Sequence, residues 1–299
     1  MSAQFRNTQN AGWFRFRLGE FECTAIWDGQ LLLPYEGIFP NADSDELSRL
    51  RDKHRLPKDN IPLDLNVLVV NTGKELIIVD AGLGTTEMMF GPGMGLMGNN
   101  LRAAGIDPGD IDIVLLTHLH PDHAFGLLGE GSVPTFKNAR LIVNKLDWDY
   151  WTDTANMELN DFRGPWVKGA IASVAPYHDR VVFIEESQEV VPGVRMKMAA
   201  GHTVGHCTYI FESNGKTLIS LGDTTHHCVY ESVHPEWYFA PMYDTDPDEG
   251  VRSKHKLFKE IAEGNYMIMA YHFPWPGTGY LEKSGSGYQF LPVAVSPVY

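Results

Sequence analysis

Three histidines and an aspartate fall within six residues in the segment Thr117-His118-Leu119-His120-Pro121-Asp122-His123. The segment directly follows a continuous apolar run at 111–116, the pattern of a strand buried on both faces. His118 and His120 are two positions apart, so on an extended backbone both imidazoles leave the same face and can share one metal ion. Pro121 suits the first turn of a helix. Asp122 and His123 then lie in or near that turn, where they can face a second ion beside the first. Neutral imidazole and carboxylate are suitable ligands for zinc, manganese or iron. The bland alternative is a chance cluster on a polar loop, and the placement at the end of a buried strand argues against it.

The H-x-H-x-D-H pattern of His118, His120, Asp122 and His123 resembles the signature of the metallo-β-lactamase superfamily. Three later segments resemble the rest of that signature, in order: Gly201-His202-Thr203, Gly222-Asp223-Thr224 and Ala270-Tyr271-His272. Each follows or ends an apolar strand. Singly, His202, Asp223 or His272 would read as a satisfied structural residue; their order, spacing and strand-end context reverse that. The resemblance spans residues 65–280. It implies an α+β fold, a four-layer αββα sandwich with the site at the sheet edges. It also implies two divalent metal ions per chain, with zinc the first expectation and manganese, cobalt or iron the alternatives. By the resemblance, His118, His120 and His202 hold one ion, Asp122, His123 and His272 the other, and Asp223 bridges both. Ions about 3.5–4 Å apart would hold a bridging hydroxide as the nucleophile. Asp122 and Asp223 then carry catalytic roles, Asp122 as a ligand that moves a proton to the departing group.

Within the superfamily the chain is most similar to methyl parathion hydrolase-like proteins and related lactonases. The similarity rests on Trp27-Asp28-Gly29, Asn71-Thr72-Gly73 and Asp80-Ala81-Gly82, and on the segments 17–22, 201–206 and 285–293. It implies a lactonase or aryl esterase, with promiscuous phosphotriesterase activity, acting on a small molecule that carries an apolar or aryl group. It also implies a homodimer. Aromatics at positions similar to Phe90, Trp151 and Trp166 line the cleft in that family; a core or dimer-contact role is the competing reading. Asp223-Thr224-Thr225-His226-His227 differs from the apolar segment the family carries there. His226 or His227 is therefore a candidate to contact substrate or protonate a leaving group, against the plainer role of a hydrogen-bonded loop histidine. His206, four residues after His202, is expected to support the ligands.

The elements that must position these residues are legible in outline. Residues 13–33 read as an antiparallel pair with a turn at Asp28-Gly29, residues 66–70 and 76–80 as a hairpin, and 81–98 as a Gly- and Met-rich loop. Further strands are expected at 111–116, 141–143, 181–184, 194–199, 209–212, 217–221 and 267–270. Helices are expected at 43–56, 99–104, 145–152 and 248–263. No linker divides the chain, so one domain over 1–299 is expected. The 43% hydrophobic content allows a large core without disulfides. The three cysteines are scattered, with no C-x-x-C, which argues against both a disulfide framework and a cysteine zinc site.

A formal net charge of −14 with no basic stretch argues against nucleic acid as a partner, and so against a nuclease. The N-terminal residues lack an apolar signal region, and no apolar run is long enough for a membrane span, so a cytoplasmic protein is expected. No G-x-S-x-G elbow is present. β-Lactamase and thioester hydrolase remain alternatives within the fold. A diiron reductase is disfavoured because the second cluster position is His120 rather than glutamate. A non-catalytic metal-binding scaffold is disfavoured because all seven ligand positions are filled.

Overall fold

The computed structural model describes residues 11–86, 91, 93–159 and 163–294. Two seven-stranded sheets carry the fold. The first holds β1 (Trp13–Leu18), β2 (Phe21–Pro34), β3 (Asn60–Asn71), β4 (Leu76–Val79), β5 (Ile113–Leu115), β6 (Arg140–Asn144) and β7 (Val181–Ile184), in that spatial order. The second holds β8 (Glu189–Val191), β9 (Val194–Met198), β10 (Cys207–Ser213), β11 (Lys216–Ser220), β12 (Met267–Met269), β13 (Thr278–Ser284) and β14 (Gly287–Pro292), adjacent in sequence order. β1 to β4 pair antiparallel and β4 to β7 parallel. In the second sheet only the β11–β12 pair is parallel.

Alternation along the strands builds the layers. Leu68, Val70, Ile77, Val79, Ile113 and Leu115 of the first sheet meet Val194, Met196, Cys207, Tyr209 and Phe211 of the second in a buried central layer. The intervening residues Val67, Val69, Ile78 and Val114 face outward. They pack under α2 (Met97–Ala103), α4 (Lys145–Thr152) and α5 (Arg163–Val174) through Leu101, Trp148, Val167, Ala170 and Val174. On the far side Ile210, Ile219 and Ile268 meet Leu257, Phe258 and Ile261 of α7 (Pro247–Gly264). The result is the expected αββα sandwich. Among the described residues no helix is long and apolar enough to cross a membrane.

Local chemistry explains most element boundaries. Asp246 accepts the Glu249 amide at 3.0 Å and Pro247 opens α7, while Asn265 ends it in the left-handed region at φ 49°. Asn144 caps α4 through the Leu146 amide at 2.8 Å. The β10–β11 hairpin turns on Asn214-Gly215, both at positive φ, as a type I′ turn requires. A helix α1 (Ser44–His54) forms as expected, with Asp43 as its cap.

The expected turn at Asp28-Gly29 is not one. β2 runs unbroken from Phe21 to Pro34 with a bulge between Trp27 and Gly29, and the chain reverses at Gly19-Glu20 instead. The reason is that Asp28 is fully buried and its carboxylate accepts the amides of Leu83 (2.7 Å) and Met97 (2.6 Å). A bulge aims it there. Gly29 sits at φ 130°, where a Cβ would lie 2.6 Å from the Gly93 carbonyl oxygen. α5, β8 and the β13–β14 hairpin were not among the expected elements. In α5 the residues Gly164, Pro165 and Gly169 break the local helix signal, and packing on the first sheet supplies the stability instead.

Gly126 follows the first ligand cluster and donates its amide to the Gly82 carbonyl at 2.9 Å. A Cβ on Gly126 would lie 1.9 Å from the Ala81 carbonyl oxygen, a backbone atom that cannot swing aside. Gly126→Ala should therefore cost about 1–3 kcal/mol of stability. A lowered Tm with native far-UV circular dichroism is the expected result, and an unchanged Tm would contradict this contact.

Candidate metal centre

The ligand loops leave one rim of the sandwich. Asp80 follows β4, the His118–His123 cluster follows β5 and opens α3 (Pro121–Ala124), His202 follows β9, Asp223 follows β11 and His272 follows β12. All are at carboxyl ends of strands, where α/β sheets present ligand-binding loops. The seven residues expected as ligands converge there, six of them buried and Asp122 half-buried.

The separations match shared ions. Nε2 of His202 lies 2.8 Å from Nδ1 of His120 and 3.3 Å from Asp223 Oδ2. Nε2 of His118 is 3.9 Å from the same oxygen. Nε2 of His123 is 3.1 Å from Asp223 Oδ1 and 3.6 Å from Asp122 Oδ2. Nε2 of His272 is 3.5 Å from Asp122 Oδ2 and 3.2 Å from Asp223 Oδ2. Two donors at about 2.0–2.1 Å from one zinc ion stand at most about 4.2 Å apart. Three of these atoms, His118 Nε2, His123 Nε2 and Asp223 Oδ1, are buried without any hydrogen-bond partner. Each such orphan costs about 1–3 kcal/mol, and the two nitrogens gathered about the Asp223 carboxylate, with its own Oδ1, are what a bound cation would satisfy. The cluster fits a binuclear divalent-metal centre.

The electrostatics agree. Burial, then neighbouring imidazoles, pushes His118 and His120 well below the usual histidine range, so both are in the neutral form that ligates. Burial would also lower His123, but the carboxylates of Asp223, Asp122 and Asp80 together raise it well above. Burial would raise Asp223, but His123 and His272 hold it well below. The site thus concentrates negative charge where a cation would sit.

An outer ring of hydrogen bonds fixes the clustered side chains. Asp80, itself at φ 64°, accepts from His123 Nδ1 at 2.9 Å and from the Thr117 amide at 2.8 Å. The Thr117 hydroxyl donates to Asp80 and accepts from His118 Nδ1 at 3.0 Å. His202 Nδ1 donates to Asp244 at 2.7 Å, and His272 Nδ1 to the Asp64 carbonyl at 3.1 Å. Buried Asp147 accepts the amides of Leu119 (2.8 Å) and Gly205 (3.2 Å) and the Thr203 hydroxyl, joining the loop after β5 to the loop after β9. His206 supports rather than ligates. It donates from Nδ1 to the Ala199 carbonyl, and its Nε2 accepts the Asp223 amide, both at 2.9 Å. Burial holds it down to about 3, so it stays neutral and keeps that acceptor.

A cavity of about 90 Å³ opens over the cluster, lined by Leu31, Leu33, Leu63, Trp166, Phe239 and Tyr243 together with His226 and five of the clustered residues, His120, Asp122, His202, Asp223 and His272. A larger open groove of about 710 Å³, between α7 and the β13–β14 hairpin, lies away from the ligand loops. Trp166 lines the cavity and stacks on Tyr243 at 5.9 Å and 9°. Trp151 is 1% exposed and meets His120 edge-on at 4.9 Å, behind the ligand rather than on the wall. His227 turns away. Its Nδ1 accepts the amides of Val229 and Tyr230 and its ring stacks on Tyr230, so it caps the short helix α6 (Tyr230–Val233). Phe90 lies outside the described residues. The supporting roles of Asp80, Asp147 and Asp244, and the wall residues Leu31, Leu33, Phe239 and Tyr243, were not foreseen. Only Asp80-Ala81-Gly82 stood out in the sequence, without a role.

A sequence profile described as the metallo-beta-lactamase superfamily matches residues 61–263, more than half of the chain, and the protein belongs to that family. Among curated relatives, the N-acyl homoserine lactonase AiiA of Bacillus thuringiensis subsp. kurstaki is 29% identical over 167 residues, covering 55% of this chain and 56% of the relative. The N-acyl homoserine lactonase AttM of Agrobacterium fabrum is 25% identical over 184 residues, 59% of this chain and 63% of the relative. The chain thus spans less than two thirds of the length of these relatives. Among solved structures, the hydrolase AbOPH of the beta lactamase superfamily superposes with a TM-score of 0.89 at 28% identity, over 97% of this chain and 100% of the other. The dizinc quorum-quenching lactonase AidC superposes with a TM-score of 0.86 at 24% identity, over 95% and 98%.

Two variants probe the supporting layer. Asp80→Asn loses the carboxylate that fixes His123 and should weaken metal binding about 10–100-fold in a chelator competition; unchanged affinity would remove Asp80 from that role. Lys254 and Glu231 form a buried pair at 2.7 Å, 3% and 1% exposed. Lys254→Met removes the cation that pairs with the buried Glu231 carboxylate and should cost about 3–5 kcal/mol in a denaturant titration; unchanged stability would contradict that pairing.

Proposed function

We propose that this protein is a dinuclear metal-dependent hydrolase that opens lactones bearing an apolar acyl or aryl group, N-acyl homoserine lactones foremost. The observation that carries the reading is the convergence of orphaned donor atoms on Asp223, directly beneath a cavity with apolar walls. The lactonase names of AiiA and AttM support the substrate class. In this reading His118, His120 and His202 hold one ion, Asp122, His123 and His272 the other, and Asp223 touches both. Two divalent ions, zinc foremost, supply a nucleophile from water near neutral pH and a Lewis acid for the carbonyl.

The chain supplies the rest. Asp122, with its side chain 15% exposed, is the most accessible of the donors in ion pairs around the cluster and is placed to pass a proton to the departing alkoxide. Leu31, Leu33 and Leu63, with Trp166, Phe239 and Tyr243, offer an apolar lining to an acyl chain. No Lys or Arg is among the described residues lining the cavity. That favours a neutral lactone over a β-lactam, whose carboxylate calls for a cationic partner. The same apolar walls accept an aryl ester, and an aryl phosphotriester is a secondary substrate in this reading.

Initial rates on N-acyl homoserine lactones of increasing chain length, and on dihydrocoumarin, test the proposal with zinc-loaded and chelator-stripped protein. Metal-dependent ring opening that improves with chain length is expected; absence of turnover in the loaded protein would overturn the lactonase reading. Asp223→Ala should lose metal and abolish hydrolysis. Trp166→Ala should mainly raise KM, and unchanged kinetics would place the indole outside the substrate path.

A further inference from the structure

His226 and Phe239 both border the cavity over the metal cluster, their rings stacked at 4.2 Å and 15°. They come from different stretches of chain, the loop after β11 and the segment after α6, and neither residue lies in a strand or helix. No backbone ladder sets their separation, so side chains must.

Lys254 reaches both stretches. This residue of α7 is buried, and its ammonium donates to Glu231 Oε1 at 2.7 Å and to the Trp237 carbonyl at 2.6 Å. The other oxygen of Glu231 accepts the amides of His226 (2.7 Å) and His227 (2.8 Å). The Trp237 carbonyl lies two residues before Phe239. One ammonium therefore ties down both members of the stack, one through a carboxylate and the other through the backbone. The helix that carries it is itself fixed, since Leu257, Phe258 and Ile261 pack on the second sheet. Burial would raise the Glu231 carboxyl, but Lys254 beside it holds it well below the usual carboxylate range, so the pair is ionic. For stability alone, an apolar pair of similar volume often serves as well or better. What the lysine adds is direction, because its three N–H donors can bind a carboxylate and a carbonyl at once.

Lys254 stands behind the cavity rather than in it. A separate space of about 10 Å³, room for about one water molecule, is lined by Lys254 and Glu231 together with His202, His226 and Phe239. The last three border the substrate cavity as well, and Lys254 does not. We infer that Lys254 is a positioning residue for substrate selection, holding His226 and Phe239 at the spacing against which the acyl chain of a lactone packs. The inference rests on the lactonase reading above. It places a determinant of selectivity one layer behind the cavity, on a helix that contributes nothing to the cavity lining.

The test compares the parent with Lys254→Met and with Lys254→Arg, which keeps the cation. The readout is the ratio of kcat/KM for N-decanoyl and N-butanoyl homoserine lactone, because a smaller folded fraction scales both rates equally and leaves their ratio alone. In Lys254→Met the ratio should fall about tenfold, the weight of one methylene contact, through KM more than kcat and with zinc content unchanged. Lys254→Arg should restore most of it. Where Lys254→Met does not fold, the double variant Lys254→Met with Glu231→Gln removes both charges, and its ratio should fall likewise. An unchanged ratio in a folded variant would overturn the positioning role and leave the lactonase reading standing. If the parent opens no lactone, it is the lactonase reading that fails, and amide hydrogen exchange then decides whether Lys254 holds this face. Faster exchange at both 226–227 and 237–240 in the variant is expected; unchanged exchange at 237–240 would overturn the coupling.

Discussion

A single buried carboxylate organises this protein. Five imidazoles, those of His118, His123, His202, His226 and His272, bring a nitrogen within 4 Å of Asp223, with separations of 3.9, 3.1, 3.3, 3.4 and 3.2 Å. Such a density of like groups is unfavourable unless something of opposite character sits among them, because the interior cannot solvate either the carboxylate or a set of protonated rings. The orphaned donor atoms and the opposed shifts of His118 and His123 are two faces of that constraint. So is the outer ring of Asp80, Asp147 and Asp244, whose carboxylates orient rings and loops that would otherwise be free to turn away.

The sandwich exists to meet this demand. Buried strands end at one rim, and each contributes a short loop whose first residues are still fixed by the sheet. Asp147 then ties the loop after β5 to the loop after β9 through three hydrogen bonds, although it comes from neither. The precision of the centre is thus borrowed from backbone amides in the core and transmitted through side chains one layer removed from the ligands. This is how a site built from segments far apart in sequence can be held in one arrangement.

What could be read from the sequence divides along physical lines. The clustered residues were legible because their pattern is local: His118 and His120 alternate on one strand end, and His202, Asp223 and His272 each follow an apolar run. Helix α7 and the Asn214-Gly215 turn were legible for the same reason. Asp28 was misread because its role is long-range. Nothing in Trp27-Asp28-Gly29 shows that amides from positions 83 and 97 will arrive to receive the carboxylate. The wall residues were invisible for a related reason, since Leu31 and Leu33 resemble any strand residues until β3 and the 234–246 segment enclose them. His226 and His227 are adjacent and chemically identical, yet one faces the cluster and its neighbour caps a helix; only the backbone path after β11 separates them.

The bulge in β2 has a further consequence. It divides one continuous strand into two parts with different duties: residues before it, such as Cys23 and Ala25, fill the layer between the sheets, while Leu31 and Leu33 beyond it border the cavity. Because the register shifts between them, the outer part does not have to satisfy the packing of the inner part. Leu31 and Leu33 answer instead to the separate core that holds Phe39, Leu63 and Phe239, so the wall is built on different packing from the layer between the sheets.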